Sequence, residues 1–224
     1  MLRRNRIALF STALMAGASL LLAQTPAASS TPSSAAPATR RPSPAGTAAT
    51  QVGGAWATDK NGEQRYTGGK WIEITYSRPI LRGRTGIFGS GADYGKKVNA
   101  GAPVWRAGAN QTTKLTTEVP LEIGGKRLAP GKYDLFVDLK EPGWTLIVST
   151  QPTQDNFGPA EKGKIWGSDG YDSKYDVVRV PMEIVKTNSS HEQFTIGFMD
   201  MTEKGGKIAM AWEKTFAIVP FKVE

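Results

Sequence analysis

Seven basic side chains crowd one stretch of the chain. Arg78, Arg82, Arg84, Lys96, Lys97, Arg106 and Lys114 fall within residues 74–117, where the only acid is Asp93, so the stretch carries a net charge of +6. Guanidinium forks match planar carboxylate, sulfate or phosphate groups. The same stretch is rich in glycine, which lets backbone approach a ligand closely and offers amide donors to an anion. The chemistry these residue types support is anion recognition, with Arg78, Arg82, Arg84, Arg106 and Asn110 as polar contacts and Trp105 as an apolar wall. The competing account is that the arginines pair with Glu73, Glu118, Glu122 or Asp138 and tie loops to strands.

Other chemistries find little here. Gly89 and Gly91 are followed by Tyr94 where a dinucleotide fingerprint needs its third glycine, and Gly95-Lys96 continues with Lys97 instead of Ser or Thr, so neither nucleotide motif is met. With no cysteine and one histidine, His191, the chain lacks thiolates and the imidazole clusters on which zinc and copper sites depend. No cofactor and no metal is expected. Asp155, Asp169, Asp172 and Asp176 offer oxygen ligands for calcium, but not at the spacing of an EF-hand loop. His191 lies beside Ser189 and Ser190 without a third group to orient it as a base, so a surface histidine is the better account. Glycoside hydrolysis uses two carboxylates, and the basic stretch holds one.

These residues must be positioned by what surrounds them. The chain has 224 residues and a net charge of +8, but its first 52 residues hold five arginines and no acid, leaving +3 on the remaining 172. A body so weakly basic argues against a dedicated nucleic-acid binder. Arg3, Arg4 and Arg6 precede an uncharged apolar run at residues 7–23, the pattern of a secretory signal peptide, here placed at residues 1–27. That run of 17 residues is a little short of the about 20 needed to span a bilayer, which favours a cleaved signal over the competing reading of an uncleaved anchor, and no membrane span is expected after cleavage. Residues 28–52 are Ala, Pro, Ser and Thr almost throughout and are read as a disordered spacer. The expected location is extracytoplasmic, periplasmic or secreted, by the general secretory route.

From residue 53 onward the apolar period is two. Ile72, Ile74 and Tyr76 share a face, as do Leu115, Thr117, Val119, Leu121 and Ile123. Tyr133, Leu135, Val137 and Leu139 alternate with charged neighbours, and Trp144, Leu146 and Val148 follow. Val178, Val180, Met182 and Ile184 come next, then Phe194 to Phe198 at alternate positions, then Ile208, Met210 and Trp212, then Phe216 and Ile218. Such alternation between turn residues marks half-buried antiparallel strands. The expectation is an all-β domain over residues 53–224, an antiparallel β-sandwich or jelly roll of eight or nine strands. Gly124-Gly125 and Gly205-Gly206 are assigned to hairpin turns, and Pro130-Gly131 to a type II turn with positive φ at Gly131. Pro120 and Pro181 mark strands that lie at an edge or bend. Residues 83–103 and 150–176 are too long for plain hairpins, a length usual in functional loops.

Several segments also resemble a known family. TYSRPILRGRTGIFG, APVWRAGANQTTKLTT, LEIGGKRLAPGKYDLFV and the strand opening at Trp144 are similar to secreted bacterial proteins of the domain of unknown function 2911 family, over residues 71–221. The chain carries extra residues around 90–99, where that family usually has a short link. The resemblance implies an all-β fold and an extracytoplasmic setting, and it implies no activity. The reading is therefore a binding module for an anionic or carbohydrate ligand at the basic glycine-rich loop. The alternatives are a hydrolase or lyase acting on an acidic sugar, with Asp93 beside the arginines, and an envelope protein whose loops contact another protein. Trp166, Tyr171 and Tyr175 are either sugar-stacking rings or caps on the ends of the sandwich.

Overall fold

A computed structural model describes residues 42–224, all within one compact unit, Arg40–Glu224. The signal peptide and most of the expected spacer lie outside the described residues. The strands are β1 (Ala45–Val52), β2 (Ala55–Thr58), β3 (Gln64–Thr67), β4 (Lys70–Ser77), β5 (Thr113–Thr117), β6 (Leu121–Ile123), β7 (Lys126–Leu128), β8 (Gly131–Leu139), β9 (Trp144–Ser149), β10 (Asp176–Pro181), β11 (Glu183–Thr202) and β12 (Gly205–Val223). A single short α-helix, α1 (Lys96–Asn99), and two 3-10 turns, Gly91–Asp93 and Ser173–Tyr175, join them among the described residues. All named strand pairings are antiparallel. One sheet runs β1-β4-β5-β8-β9-β10, a second runs β11-β12-β6-β7, and β2-β3 forms a separate hairpin.

The core lies between the two large sheets, as the alternation requires. Ile72, Ile74, Leu115, Leu135, Val137, Leu146 and Val148 from the first sheet meet Leu121, Ile123, Phe194, Ile196, Ile208, Met210 and Val219 from the second. The fold is the expected all-β sandwich, with neither large sheet closed on itself. Twelve strands replace the eight or nine anticipated; the short β2, β3 and β7 are part of the difference, and three further reasons lie in the longer runs. The run from Leu115 to Ile123 is two strands, because at Pro120 the chain leaves the first sheet for the second. The run from Val178 to Ile184 divides likewise at the buried Met182, where β10 in one sheet hands over to β11 in the other. Pro181 ends β10, an edge strand that pairs only with β9, where a missing N–H is tolerated.

The third reason is β1. Residues 45–52, assigned by composition to the spacer, pair along their whole length with β4, from Ala45 opposite Ser77 to Val52 opposite Lys70. The prolines that punctuate the preceding segment stop at Pro44, so from Ala45 every residue can serve a ladder. Val52 is 1% exposed. The ordered domain thus begins before residue 53.

Turn chemistry is half as expected. Gly124 and Gly125 have φ of 58° and 73° and close the β6-β7 hairpin as a two-residue turn, Ile123 pairing with Lys126. Gly131 is not in the left-handed region: it is the first residue of β8 and pairs with Thr117, so the type II assignment fails. The last hairpin turns at Glu203-Lys204, and Gly205 already pairs with Thr202.

The 150–176 loop folds onto the outer face of the six-stranded sheet. There Phe136 and Ile147 are buried with Val104, and Ile165 and Tyr171 pack over them. Tyr171 sits edge-on to Phe136 at 5.1 Å, the capping role. The same loop is held by a polar cluster: Lys114 Nζ donates to Asp134 (3.0 Å) and Thr153 (2.7 Å) and lies 3.3 Å from Asp155. Burial raises the carboxyl of Asp134 above its ordinary value, with Lys114 opposing. A raised folded-state pKa adds stability that is full below the unfolded value and is lost as pH rises through the folded value. Asp134→Asn should therefore flatten the stability profile above the ordinary carboxylate range, as measured by denaturant midpoints from acid to neutral pH. An unchanged profile would remove Asp134 as its source.

Candidate functional site

The basic glycine-rich stretch becomes a long excursion between β4 and β5, and its sides are fastened by carboxylates that accept from backbone. Glu213 on β12 accepts from the N–H groups of Gly86 and Ile87, and Glu141 accepts from Gly91 N–H. Glu213 holds a φ of 52°, a sparsely populated backbone for a non-glycine residue and a cost of order 1–3 kcal/mol. Phe88 enters the core between Trp105, Trp144 and Trp212, with ring centroids 4.7–6.1 Å away. Tyr94 stacks on Phe88 and accepts from Trp144 Nε1 at 2.7 Å. Gly95 comes so close to Leu139 that a Cβ there would lie 2.9 Å from the leucine Cβ. These contacts bring α1 down beside β12.

Between the loop and β12 lies a cleft of about 180 Å³ lined by Arg84, Thr85, Ile87, Lys97, Val98 and Trp212. A second, more polar hollow of about 430 Å³ adjoins it through Lys97 and is lined by Gly89, Ser90, Asp93 and Lys96 as well. Lys96 pairs with Asp93 at 2.9 Å, which holds that carboxyl below its ordinary value. Arg84 and Lys97 form no ion pair among the described residues. Arg84 spends Nε on Leu81 O (2.9 Å) and one Nη on Ile80 O (2.7 Å), which fixes its head at the rim and leaves three N–H donors. Trp212 is 4% exposed, and its indole N–H has no hydrogen-bond partner among the described residues. Its two neighbours differ: Trp105 Nε1 donates to Gly108 O, and Trp144 Nε1 to Tyr94 Oη.

Only one of the six predicted contact residues, Arg84, lines this cleft. Arg78 clamps strands: its head donates to Phe194 O and to Thr195 Oγ1, and its stem packs on Gly46 of β1. Arg82 has φ of 51°, its N–H donates to Glu192, and one Nη donates to Pro42 O. Trp105 is fully buried, so the expected apolar wall is a core residue instead. Its ring stacks against Trp212 at 6.0 Å and so supports the cleft from behind. Arg106 and Asn110 belong to a different corner. Arg106 Nη1 donates to Asn110 O at 2.8 Å, and its guanidinium lies flat on Gly167, where a Cβ would come within 2.2 Å. Burial lowers the pKa of Arg106, partly opposed by Asp169.

The ion-pair account of these arginines also fails. Among the described residues none pairs with a carboxylate; Glu122 takes Lys222, and Asp138 takes Arg179 and Lys140. They are fastened by backbone carbonyls, an interaction that residue types alone do not announce. The four loop aspartates do not converge either: Asp155 meets Lys114, Asp172 meets Lys174, and Asp176 meets Tyr171 and Arg179. Among the described residues no three acidic or imidazole side chains come together as a metal site would need. Trp212, Ile87, Val98 and Glu213 were missed because each reads as ordinary core, turn or strand sequence.

A family model described as a protein of unknown function (DUF2911) matches residues 58–221. The chain belongs to the DUF2911 family. The match spans every residue of the cleft, whereas β1 precedes it. No curated protein and no solved structure matches the chain. The DUF2911 assignment carries no activity, so function must be argued from the cleft. Among the described residues no helix is long and apolar enough to cross a membrane.

Proposed function

We propose that this protein binds a small anionic ligand in the cleft between the glycine-rich loop and β12, in an extracytoplasmic setting as its N-terminal sequence pattern indicates. The observation that carries this reading is the pair of cations, Arg84 and Lys97, at the rim of a cleft and without ion-pair partners among the described residues. A cation whose neighbours are all carbonyls or apolar atoms gains more from an incoming anion than one already paired. Hydrolase chemistry draws no comparable support. Asp93 is engaged by Lys96 and held ionised, and Glu213 is spent on the N–H groups of Gly86 and Ile87, so neither carboxylate suits a general acid or an unencumbered base.

The reading predicts a separation of binding from stability. Lys97 is exposed and unpaired, so Lys97→Ala should change stability by less than about 0.5 kcal/mol, as for surface substitutions elsewhere. It should also remove most of the rise in melting temperature that phosphate or an organic carboxylate gives the full chain. If the variant responds to anions as wild type does, Lys97 is not part of the site.

A further inference from the structure

We propose that the cleft takes an aromatic or ring-bearing organic anion, its ring between Ile87, Val98 and Trp212 and its charged group at Arg84 and Lys97. This rests on the anion-binding reading above and narrows its ligand class.

Three observations point the same way. The first is division of the lining: Ile87, Val98 and Trp212 are apolar, and the two cations stand beside them in the same cleft. A bare inorganic anion would leave that apolar part wetted to no purpose. A neutral ring would leave both cations unanswered. The second is size. A cavity of about 150 Å³ lined by apolar side chains suffices for benzene, and this cleft measures about 180 Å³. The third is rigidity together with an unmet donor. Trp212 is packed against Trp105, Phe88 and Phe194 at centroid distances of 5.9–6.0 Å, so its position is fixed before any ligand arrives. Its indole N–H is buried without a partner among the described residues, in contrast to those of Trp105 and Trp144. A buried donor without a protein partner is unfavourable and is answered when a group from outside the chain comes to it. The strained backbone of Glu213, which pins Gly86 and Ile87 over this place, is of the same kind.

The charged group can be carboxylate or phosphate, since the rim offers donors to either. Calorimetric titration of the full chain with benzoate, phenyl phosphate, acetate, inorganic phosphate and benzyl alcohol tests the proposal. Benzoate or phenyl phosphate should bind about tenfold or more tightly than its ringless counterpart, the gain expected from burying a ring. Benzyl alcohol should bind at least as weakly as acetate. Val98→Ser should erase the advantage of the ring while leaving acetate and inorganic phosphate unchanged. Equal binding of ringed and ringless anions would overturn the ring and leave the anion site standing. Benzyl alcohol binding as well as benzoate would overturn both, as would no heat of binding from any of the five.

Discussion

Trp105→Ala should destabilise the domain by about 3–5 kcal/mol, the range for emptying a large aromatic site in a core. Trp105 is fully buried and meets Phe88, Trp144, Phe194 and Trp212. Its backbone N–H and C=O also exchange bonds with Val137, so the ring is held in place from its own strand-like bridge. Total stability of a domain is typically about 5–15 kcal/mol, so this one change removes a large part of it. Urea or guanidinium unfolding of the two forms gives the number. A loss below about 1 kcal/mol would mean that Trp105 is a surface contact residue after all.

Removal of residues through Val52 should cost roughly 2–4 kcal/mol. Burial of Val52 is worth about 1.5–3 kcal/mol, and the ladder to β4 adds net bonds of about 1 kcal/mol each, reduced by the ordering entropy of the strand. The truncation also bares the edge of β4 along Ile72, Ile74 and Tyr76, a row of unpaired donors and acceptors that invites association between chains. A chain beginning at Gly53 should therefore melt lower and sediment as larger species than one beginning at Arg40. Identical melting and monomeric behaviour would show that β1 contributes nothing.

Much of the sandwich is legible because its strands obey a period of two. Leu135 and Val137, or Ile208 and Met210, could only face inward, and they do. What alternation cannot show is a change of sheet in mid-run. Leu115 and Leu121 share parity, yet they lie in opposite sheets, with Pro120 between them. β1 was concealed by composition, since Ala, Thr and Gly form an edge strand when a partner such as β4 supplies the ladder. Its stability comes from pairing and from nothing local.

The site was legible as a region and illegible as a constellation. Loop length and unbalanced charge single out the loop that borders the cleft, and its Arg84. Adjacency in sequence then misleads, because Trp105 and Arg106 point to different places: one into the core, the other across Gly167. Trp212 lies more than a hundred residues from Arg84 and alternates perfectly with Ile208 and Met210. Only the tertiary fold shows that its N–H finds no partner among the described residues or that Glu213 beside it fastens the loop.

The central claim is that the Arg84–Lys97–Trp212 cleft binds an anion. Its most direct test follows the indole N–H signals of the six tryptophans in the full chain during a benzoate titration, with the Trp212 signal assigned by its loss in Trp212→Phe. The account predicts that the Trp212 signal moves and saturates, that those of the exposed Trp56 and Trp71 stay fixed, and that the movement disappears when Arg84 and Lys97 are both changed to alanine. A Trp212 signal that stays still while benzoate binds elsewhere, or that moves equally in the double variant, would contradict it.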